Sequence, residues 1–482
     1  MRPVPGAPVI TPDSPDRQYS TRLRTALVLT GVGTAGAYHA GVLRALHEAG
    51  VRIDLVAGRG VGALGAMFAA VDGGSRLWET GGLWKDPVAS RAYGWRTPLR
   101  VTGWALVSAC ALLATPLALL AGGVIVGLIG LLLWSLSLTG IAGVLRSTYG
   151  RWLDALFEPT ALPTIVPRLV VLCLLVALVA LAVTLGAALL RAPAHRRLGR
   201  GRVWRLLGSP IASAAILDRG IDGLWGLIGG AARIAPPPRA ELGRKYVELL
   251  TENLGQPGFR ELLLIAHDLD ARRDVMFALL GDPHRARFFG RPVTDGPRQA
   301  EAFDLAGVGR DHVMDALAAS LTVPIATEPH LARFSHEGPW RGETHRLCDR
   351  PGSLDRLLEE LRVAGAEQVI VASAAPPAAR PHELSSARAD LRGRAGEHLQ
   401  AFEVAGLRDA IEQASGRFAG LFLVRPAHNP LGPLDFAGVF DERSDRHYTL
   451  AELVDRGYED AYRQFIEPVV AASGERIATV QS

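Results

Sequence analysis

The first stretch that could carry chemistry is a glycine-rich turn near the start of the chain. Residues 25–30 form a short apolar run, and Gly31, Gly33 and Gly36 follow it. This G-x-G-x-x-G spacing after a strand is typical of dinucleotide-binding proteins, in which a helix N-terminus holds the pyrophosphate. Such proteins also carry an acidic residue at the end of the next strand, for the ribose. The second apolar run, residues 53–57, leads into glycines instead, so dinucleotide binding remains only a third hypothesis.

The second turn, Gly58-Arg59-Gly60-Val61-Gly62, has the spacing of a nucleophile elbow, G-x-S-x-G, without its serine. In an elbow, a sharp strand-to-helix turn exposes the nucleophile above the N-terminus of the next helix. Gly60 stands where that serine would stand and has no oxygen with which to attack an ester. The pattern therefore predicts the shape of a hydrolase site without its nucleophile.

Each turn needs a strand before it and a helix after it. Val42, Ala45, Leu46 and Ala49 recur with the spacing of one helix face, and Gly50 closes that helix. A helix between two short apolar runs predicts a βαβ unit. Both turns then lie at the carboxyl edge of a parallel sheet, where such folds place their sites.

These elements resemble the start of a patatin-like phospholipase (PNPLA) domain. After its first strand and a glycine-rich oxyanion loop, that family has G-V-L-x-A-L-x-E-x-G and then I-D-x-V-x-G-x-S-x-G. Residues 41–50 read GVLRALHEAG, and residues 53–58 read IDLVAG. The resemblance implies an α/β, patatin-like three-layer fold with a mainly parallel central sheet. It also implies a Ser–Asp dyad that hydrolyses lipid acyl esters.

The resemblance assigns roles to residues of this chain. It places the family's catalytic serine at Gly60 and the basic residue of the oxyanion loop at Ala35, so both chemical groups are absent. The glycines that shape the backbone remain, and the implied oxyanion loop consists of Gly31, Val32, Gly33 and Gly36.

The second member of the dyad is predicted from a later strand. In the family, the catalytic Asp opens a D-G-G or D-G-A turn about 20 residues before a strand V-I-x-V. Residues 369–371 supply that strand, and Asp349 lies at the expected distance before it. Arg350 and Pro351 replace the glycines of the turn. Asp355 is a second candidate, which would need a shifted register.

Two long uncharged runs interrupt the resemblance. Residues 101–145 and 169–190 contain no charged side chain and are flanked by arginines. A bilayer core of about 30 Å needs about 20 apolar residues, so both runs predict membrane-spanning helices. We therefore expect a disordered tail at 1–22, a patatin-like domain in two parts, 23–98 and 201–482, and a transmembrane insertion at 99–200.

The number of membrane crossings follows from the sheet. Both parts of the domain must meet in one sheet, so the number should be even. We expect two crossings, with part of 101–145 tilted, kinked near Pro116 or half-inserted. A hairpin turning at Gly122 and Gly123 would give three. Arginines follow the second run and predict a cytoplasmic globular domain on an integral membrane protein. They are Arg191, Arg196, Arg197, Arg200, Arg202 and Arg205.

Composition disfavours other classes of function. The formal net charge is only +4 over 482 residues, and no basic strip is interleaved with aromatic residues, so we expect no nucleic-acid partner. The three cysteines have neither disulfide-framework nor metal-ligand spacing. Residues 267–270, HDLD, resemble the family's strand end A-T-D-L and are interpreted as structural. We expect no metal and no cofactor.

Two hypotheses of different class follow. The first is a membrane-anchored pseudoenzyme that binds lipid or acyl groups or regulates an unidentified protein partner, with membrane lipids as its main partners. The alternative is a divergent lipid acyl hydrolase with a relocated nucleophile. Thr34 and Ser320 are the hydroxyls weighed for that role, and neither lies on an elbow.

Overall fold

A computed structural model describes residues 19–157, 165–191, 208–230, 235–290, 298–338, 340–377, 391–427, 431–441 and 446–470. Two compact units result: one runs to Gly94 and resumes at Ala212, and the other is Trp95–Ile211. The second unit begins four residues before and ends eleven residues after the predicted insertion, 99–200. Most of the predicted tail, residues 1–22, lies outside the described residues, as do the predicted cytoplasmic arginines from 196 to 205.

The strands are, in chain order, β1 (Thr25–Gly31), β2 (Leu55–Gly60), β3 (Gly94–Trp95), β4 (Ile211–Ala212), β5 (Glu261–Asp268), β6 (Arg273–Leu279), β7 (Ala300–Asp304), β8 (His330–Arg333), β9 (Thr344–Cys348), β10 (Gln368–Ser373), β11 (Gly420–Val424), β12 (Val439–Asp441) and β13 (Arg446–Tyr448). Among the described residues, nine of these strands form the central sheet of the first unit. The main path through that sheet is β11-β10-β1-β2-β5-β6-β7. The pairs β3–β4 and β12–β13 form two small separate sheets.

The central sheet is mixed and mainly parallel. β11, β10, β1, β2 and β5 run parallel to one another, with β1 at the centre of this group. β6 turns back antiparallel to β5 and is parallel to β7, while β9 joins the end of β5 and pairs with β8. Every residue of β1 and β2 is buried, as expected of parallel strands covered on both faces. The predicted α/β class with a mainly parallel sheet is confirmed.

The helices of the first unit are α1 (Gly36–Glu48), α2 (Gly62–Ala70) and α3 (Ser75–Trp78), and those of the second unit are α4 (Thr97–Ser135), α5 (Thr139–Phe157) and α6 (Ile165–Arg191). The first unit continues with α7 (Ala214–Ile228), α8 (Arg239–Asn253), α9 (His284–Phe289), α10 (Val313–Ser320), α11 (Ser353–Val363), α12 (Leu391–Ala414) and α13 (Leu450–Ala461). Short 3₁₀ segments occupy Pro87–Arg91 and Arg310–His312, and a π-helical segment, Tyr462–Val470, follows α13.

Strand β2 differs from its prediction. The sequence suggested a strand over 53–57 that ends at Gly58, but β2 begins at Leu55 and runs through Gly58 to Gly60. A Cβ on Gly58 would lie 2.4 Å from Cα of Ala63, in the helix that follows. Gly58 is therefore needed because α2 packs closely on the strand, and it does not end the strand.

The described part of the second unit contains three helices, α4, α5 and α6. α4 runs without interruption through Gly122 and Gly123, so the predicted alternative of a hairpin turning there is wrong; the turn comes after Ser135 instead. Among the described residues, two helical stretches are long and apolar enough to cross a membrane, Thr97–Ser135 and Ile165–Thr184. Length and composition alone are weak evidence that these helices cross a membrane. Most of the surface of each helix is exposed, however, whereas the core helix of a soluble protein is mostly buried.

Candidate functional site

Gly60 lies at the turn between β2 and α2. Its φ of +59° is in the left-handed region, where glycine is favoured. The N–H of Val61 donates a hydrogen bond of 2.9 Å to the carbonyl of Gly31, the last residue of the neighbouring strand β1. A Cβ on Gly60 would lie 2.0 Å from that carbonyl oxygen. The turn therefore has the strained backbone of an elbow, but the Gly31 carbonyl fills the space that a side chain would need.

The glycine-rich loop after β1 is covered by a later segment of the chain. Gly33 has φ +65°, and a Cβ on it would lie 2.6 Å from the carbonyl oxygen of Pro433. The Thr34 hydroxyl donates a 3.0 Å hydrogen bond to the carbonyl of Asp435, and Phe436 lies against Gly33. The predicted oxyanion loop is thus closed over by residues 433–436.

Asp349 lies next to Gly60, as the predicted dyad requires. It follows β9, and its backbone N–H donates a 2.9 Å hydrogen bond to the hydroxyl of Thr322. One carboxylate oxygen, Oδ2, is 3.2 Å from the Cβ position of Gly60. The structure therefore brings together Gly31, Gly60 and Asp349, which are far apart in the sequence.

The closest charged neighbour of Asp349 is Arg59, which the sequence analysis did not single out. Arg59 is 1% exposed, and its Nη1 lies 3.3 Å from Oδ2 of Asp349. Its Nη2 donates to Glu403 of α12 at 2.5 Å, and its Nε donates to the hydroxyl of Thr30 at 2.8 Å. One guanidinium is thus shared by two carboxylates. We call Arg59, Asp349 and Glu403 the buried triad.

Burial dominates the electrostatics of Asp349. It raises the pKa of this carboxyl group to about 7, because the charged form loses its hydration, while Arg59 opposes the shift and Glu403 adds to it. Oδ1 of Asp349 and Oε1 of Glu403 have no hydrogen-bond partner among the described residues. The two carboxylates therefore compete for one arginine, and Asp349 takes up a proton more readily than an exposed aspartate.

His39 is a second titratable group beside the glycine-rich loop. It lies in α1, and its Nε2 is 3.0 Å from the carbonyl oxygen of Thr30. Burial lowers the pKa of His39 to about 4, so the ring is neutral at neutral pH. A neutral histidine bonded to a backbone carbonyl fixes the end of β1.

The other predicted candidates have structural partners. The Thr34 hydroxyl donates to a carbonyl, and the buried Ser320 hydroxyl donates to the carbonyl of Ile265 at 3.3 Å. Asp355 lies in the first turn of α11, within hydrogen-bonding distance of the Gln413 amide. Ala35, which stands for the family's basic residue, is 2% exposed. None of these contacts supplies a base to a hydroxyl.

The HDLD sequence forms part of the β5–β6 turn. One carboxylate oxygen of Asp268 accepts hydrogen bonds from the N–H groups of Asp270 and Ala271, and the other bonds to His345. His267 bonds to Asp274 at 2.8 Å. Within the described part of the chain, no cluster of three or more His, Cys, Asp or Glu side chains is arranged to hold a metal ion.

A cavity of about 320 Å³ opens elsewhere on the first unit. Residues of α2, α3, α7 and the turn after α3 line this cavity. They include Phe68, Arg76, Arg219 and Asp222. Neither Gly60 nor Asp349 lines it. The cavity is therefore separate from the converging glycine turns.

Sequence reasoning missed Arg59 and Glu403. A signal for Arg59 was available, because an arginine inside the apolar run LVAGRG must find a buried counter-charge. No comparable signal marks Glu403, which lies in an amphipathic helix with many exposed charges. Only the packing of α12 on α11 and into the core cluster brings it to the site.

Comparison with known proteins gives consistent matches. The sequence profile of the family described as patatin-like phospholipase matches residues 27–349. "Patatin-like phospholipase domain-containing protein 6" of Mus musculus and of Homo sapiens are each 44% identical over 66 residues, which is 14% of this chain and 5% of theirs. "Lysophospholipase nte1" of Neurospora crassa is 38% identical over 76 residues, with the same shares of 14% and 5%. The chain thus covers about 5% of the length of these curated relatives.

Among solved structures, VipD from Legionella pneumophila aligns with 92% of this chain and 66% of its own. The TM-score is 0.27 and the identity 12%.

Proposed function

Because this chain belongs to the patatin-like phospholipase family, we propose that it is a membrane-anchored member that binds lipid or acyl groups without hydrolysing them. The family acts on lipid acyl esters, so lipids are the expected ligands. The observation that carries the proposal is the buried triad: an arginine is bound to the carboxylate that would serve the nucleophile, and the nucleophile position is a glycine.

The loss of the nucleophile is the first support for inactivity. A serine hydrolase loses on the order of 10⁶ in kcat without its nucleophile. The carbonyl of Gly31, at 2.0 Å from the Cβ position of Gly60, leaves no room for a hydroxymethyl group on this backbone. The glycine is thus built into the packing between β1 and β2.

The state of Asp349 is the second support. A general base must be free to accept a proton from the nucleophile. Asp349 instead faces Arg59, and its side chain is 0% exposed. Residues 433–436 cover the loop whose amides would stabilise an oxyanion. The carboxylate that would act as the base is thus paired with an arginine, and the loop that would form the oxyanion hole is covered by another segment of the chain.

Membrane anchoring is supported by the second unit. We propose that Trp95–Ile211 is a transmembrane insertion in a domain whose two parts precede and follow it, and that the globular part is cytoplasmic. The apolar helices α4 and α6 and the arginines after residue 190 support this topology.

The test measures binding and turnover of one ligand. A fluorescent phospholipid is titrated into detergent-purified native protein, and its hydrolysis is followed in parallel with short-chain nitrophenyl esters and a fluorophosphonate probe. We expect saturable binding, no turnover above background and no probe labelling. The variants Gly60→Ser, and Gly60→Ser with Asp349→Asn, are measured alongside, and Gly60→Ser alone should not restore activity.

The alternative, a divergent lipid acyl hydrolase, is favoured by one observation. Asp349 lies beside the elbow, and its pKa is raised to about 7, a value suited to a general base at neutral pH. Turnover by native protein that Asp349→Asn abolishes would establish this alternative. Activity that appears only in Gly60→Ser would mean that the site is competent and only the nucleophile is missing.

A further inference from the structure

Helix α4 is too long for one membrane crossing. It has 39 residues, or about 58 Å at 1.5 Å per residue, whereas a bilayer core is about 30 Å thick. Membrane helices tilt by about 20° on average and up to about 40°, and a helix of this length would need about 60° to stay inside. One half of α4 must therefore leave the hydrocarbon core or lie along its boundary.

The two halves of α4 have different neighbours. In the first half, Ala105 and Ala109 are buried, and α6 contributes the buried Ala177 and Ala180. α4 and α6 pack against each other, and small residues at such contacts let membrane helices approach closely. This first half together with α6 has the length and composition of a two-helix span.

The second half of α4 packs on α5. The ring of Tyr149 lies 3.3 Å from the Cβ position of Gly123, and its hydroxyl lies 3.5 Å from that of Gly122. Arg146 lies 3.6 Å from the Cβ position of Gly130. Since Arg146 precedes Tyr149 while Gly130 follows the glycine pair, α5 runs back along α4. We call residues 117–157 the far hairpin.

Tyr149 and Arg146 of α5 contact α4, and the apolar face of α5 is turned outward. Arg151 and Asp154 are also exposed, beside that face. Ile141, Val144 and Trp152 are 57%, 65% and 69% exposed and fall on one face of the helix. On α4, Leu128 and Leu132 are both 61% exposed. An amphipathic helix in water packs the other way round, so this arrangement suits a surface in contact with lipid.

Pro116 divides α4 where a bilayer would end. It lies 19 residues after Thr97, or about 28 Å along the axis, which is close to the thickness of the hydrocarbon core. Proline removes one helical hydrogen bond and permits a bend. The helix can therefore change direction where the hydrocarbon core would end.

We propose that the far hairpin lies in the interface of the leaflet on the opposite side of the membrane, with the outer apolar faces of α4 and α5 in contact with acyl chains. This inference rests on the proposed membrane anchoring. The occupant of the apolar face is lipid, since exposed apolar side chains continue along α4 from the span into the hairpin, at Leu113, Leu117 and Val124. The exposed Arg151 and Asp154 beside the α5 face suit the headgroup region at the membrane interface. The hairpin would thus add an in-plane anchor to the two crossings.

The test compares five single-cysteine proteins in nanodiscs, built on a chain whose native Cys110, Cys173 and Cys348 are replaced by serine. Each carries an environment-sensitive fluorophore, with a shallow or a deep doxyl lipid and aqueous iodide as quenchers. The labelled positions are matched in exposure: Val107→Cys and Val171→Cys in the span, at 60% and 61%, and Leu128→Cys and Val144→Cys in the hairpin, at 61% and 65%. Glu248→Cys on the globular unit is the aqueous control.

We expect the span labels to lose emission with the deep doxyl lipid, the hairpin labels with the shallow one, and the control with iodide alone. Hairpin labels quenched by iodide as strongly as the control would overturn the inference. Hairpin labels shielded from all three quenchers would also overturn it, because protein would then cover the face. If the span labels themselves are quenched by iodide, the membrane anchoring fails, and that outcome is distinct from failure of the hairpin.

Discussion

Arg59 is the residue on which the site depends. It is 1% exposed and serves Asp349 and Glu403 at once. A buried charge without its partner loses hydration without compensation. Removal of the guanidinium leaves two carboxylates facing each other inside the protein.

We predict that Arg59→Met lowers the free energy of unfolding by about 3–5 kcal/mol, as for other broken buried ion pairs. Urea unfolding of the detergent-purified protein measures the change. The matched control is Arg52→Met, since Arg52 pairs with Asp54 but is 58% exposed, and exposed pairs contribute about 1 kcal/mol or less. Adding Asp349→Asn and Glu403→Gln to Arg59→Met should recover part of the loss. Equal costs at Arg59 and Arg52 would contradict the buried triad.

The pH dependence of stability reports on Asp349. Burial raises its pKa from 3.8 to about 7, so the folded protein binds more protons than the unfolded chain between these values. The contribution of this group to stability is complete below about pH 4 and is lost as the pH rises through 7. We predict that Asp349→Asn removes this loss, so the variant gains stability relative to the native protein from pH 5 to pH 8. If the melting temperatures of the two proteins changed with pH in the same way from pH 5 to pH 8, the raised pKa of Asp349 would be refuted.

Substitution of Gly60 tests whether close packing excludes a side chain at this position in addition to backbone strain. Alanine in the left-handed region costs about 1–2 kcal/mol at either Gly60 or Gly416, whose φ angles are +59° and +79°. Only at Gly60 is there a close backbone atom, and nothing lies within 4 Å of a Cβ on Gly416. We predict that Gly60→Ala costs about 1–3 kcal/mol more than Gly416→Ala, the typical cost of overpacking. Similar unfolding midpoints for the two variants would show that the backbone around Gly31 moves to accommodate a methyl group at little cost in stability.

The resemblance to the family singled out Gly60 and Asp349 because the motifs that carry it are local: the glycines of the elbow in one case and a turn about 20 residues before a strand in the other. Arg59 and Glu403 depend on contacts between residues 344 positions apart. No spacing rule encodes such a contact. The state of the site, a carboxylate bound by arginine, was therefore visible only in three dimensions.

At the scale of elements, two glycines set the packing of α1 on α13. A Cβ on Gly41 would lie 1.8 Å from the carbonyl oxygen of Val454, and one on Gly457 would lie 2.2 Å from that of Tyr38. The two helix backbones touch where these glycines meet. A side chain at either position must push the helices apart.

We predict opposite signs for two glycine-to-alanine changes in helices. Gly457→Ala should destabilise by about 1–3 kcal/mol through overpacking. Gly226→Ala, in α7, should stabilise by up to about 1 kcal/mol, because nothing lies within 4 Å of its Cβ and alanine favours the helix. The thermal unfolding of both variants measures the two changes. A stabilising effect of Gly457→Ala would mean that the backbones of α1 and α13 are not in contact.

The prediction of helices and strands was accurate where the apolar periodicity was strong. It failed where a glycine that permits close packing was interpreted as a glycine that ends an element. The strand–helix–strand order from β1 to β2 followed from apolar runs and helical spacing. The end of β2 was misplaced because Gly58 was interpreted as a turn residue, although it serves the close packing of Ala63. The alternative of a hairpin within the 101–145 run fails for the same reason, since Gly122 and Gly123 accommodate Tyr149 and do not end α4.

At the scale of the whole molecule, the sheet constrains the topology. β2 precedes the second unit and β5 follows it, yet they pair directly, with Leu55 opposite Glu261. β1 likewise pairs with β10. The chain before and after the second unit must therefore be on the same side of any membrane.

We predict that topology reporters fused at residues 1 and 482 read the same, cytoplasmic, side. Each fusion is compared with a reporter placed after residue 157, which the proposed topology puts on the opposite side. Reporters on different sides at the two termini would be incompatible with one continuous sheet, and all three on the same side would exclude membrane crossing.

The pairing of β2 with β5 and of β1 with β10 also has a consequence for biosynthesis. A ribosome that has made β2 must add about 200 residues before β5 exists and about 300 before β10 is complete. At about 5–20 residues per second, the last of these takes roughly 15–60 s. During that time, β1 and β2 have open edges, and in the proposed topology the apolar helices are delivered to the membrane. Slower translation after residue 211 should therefore increase aggregation of the nascent chain.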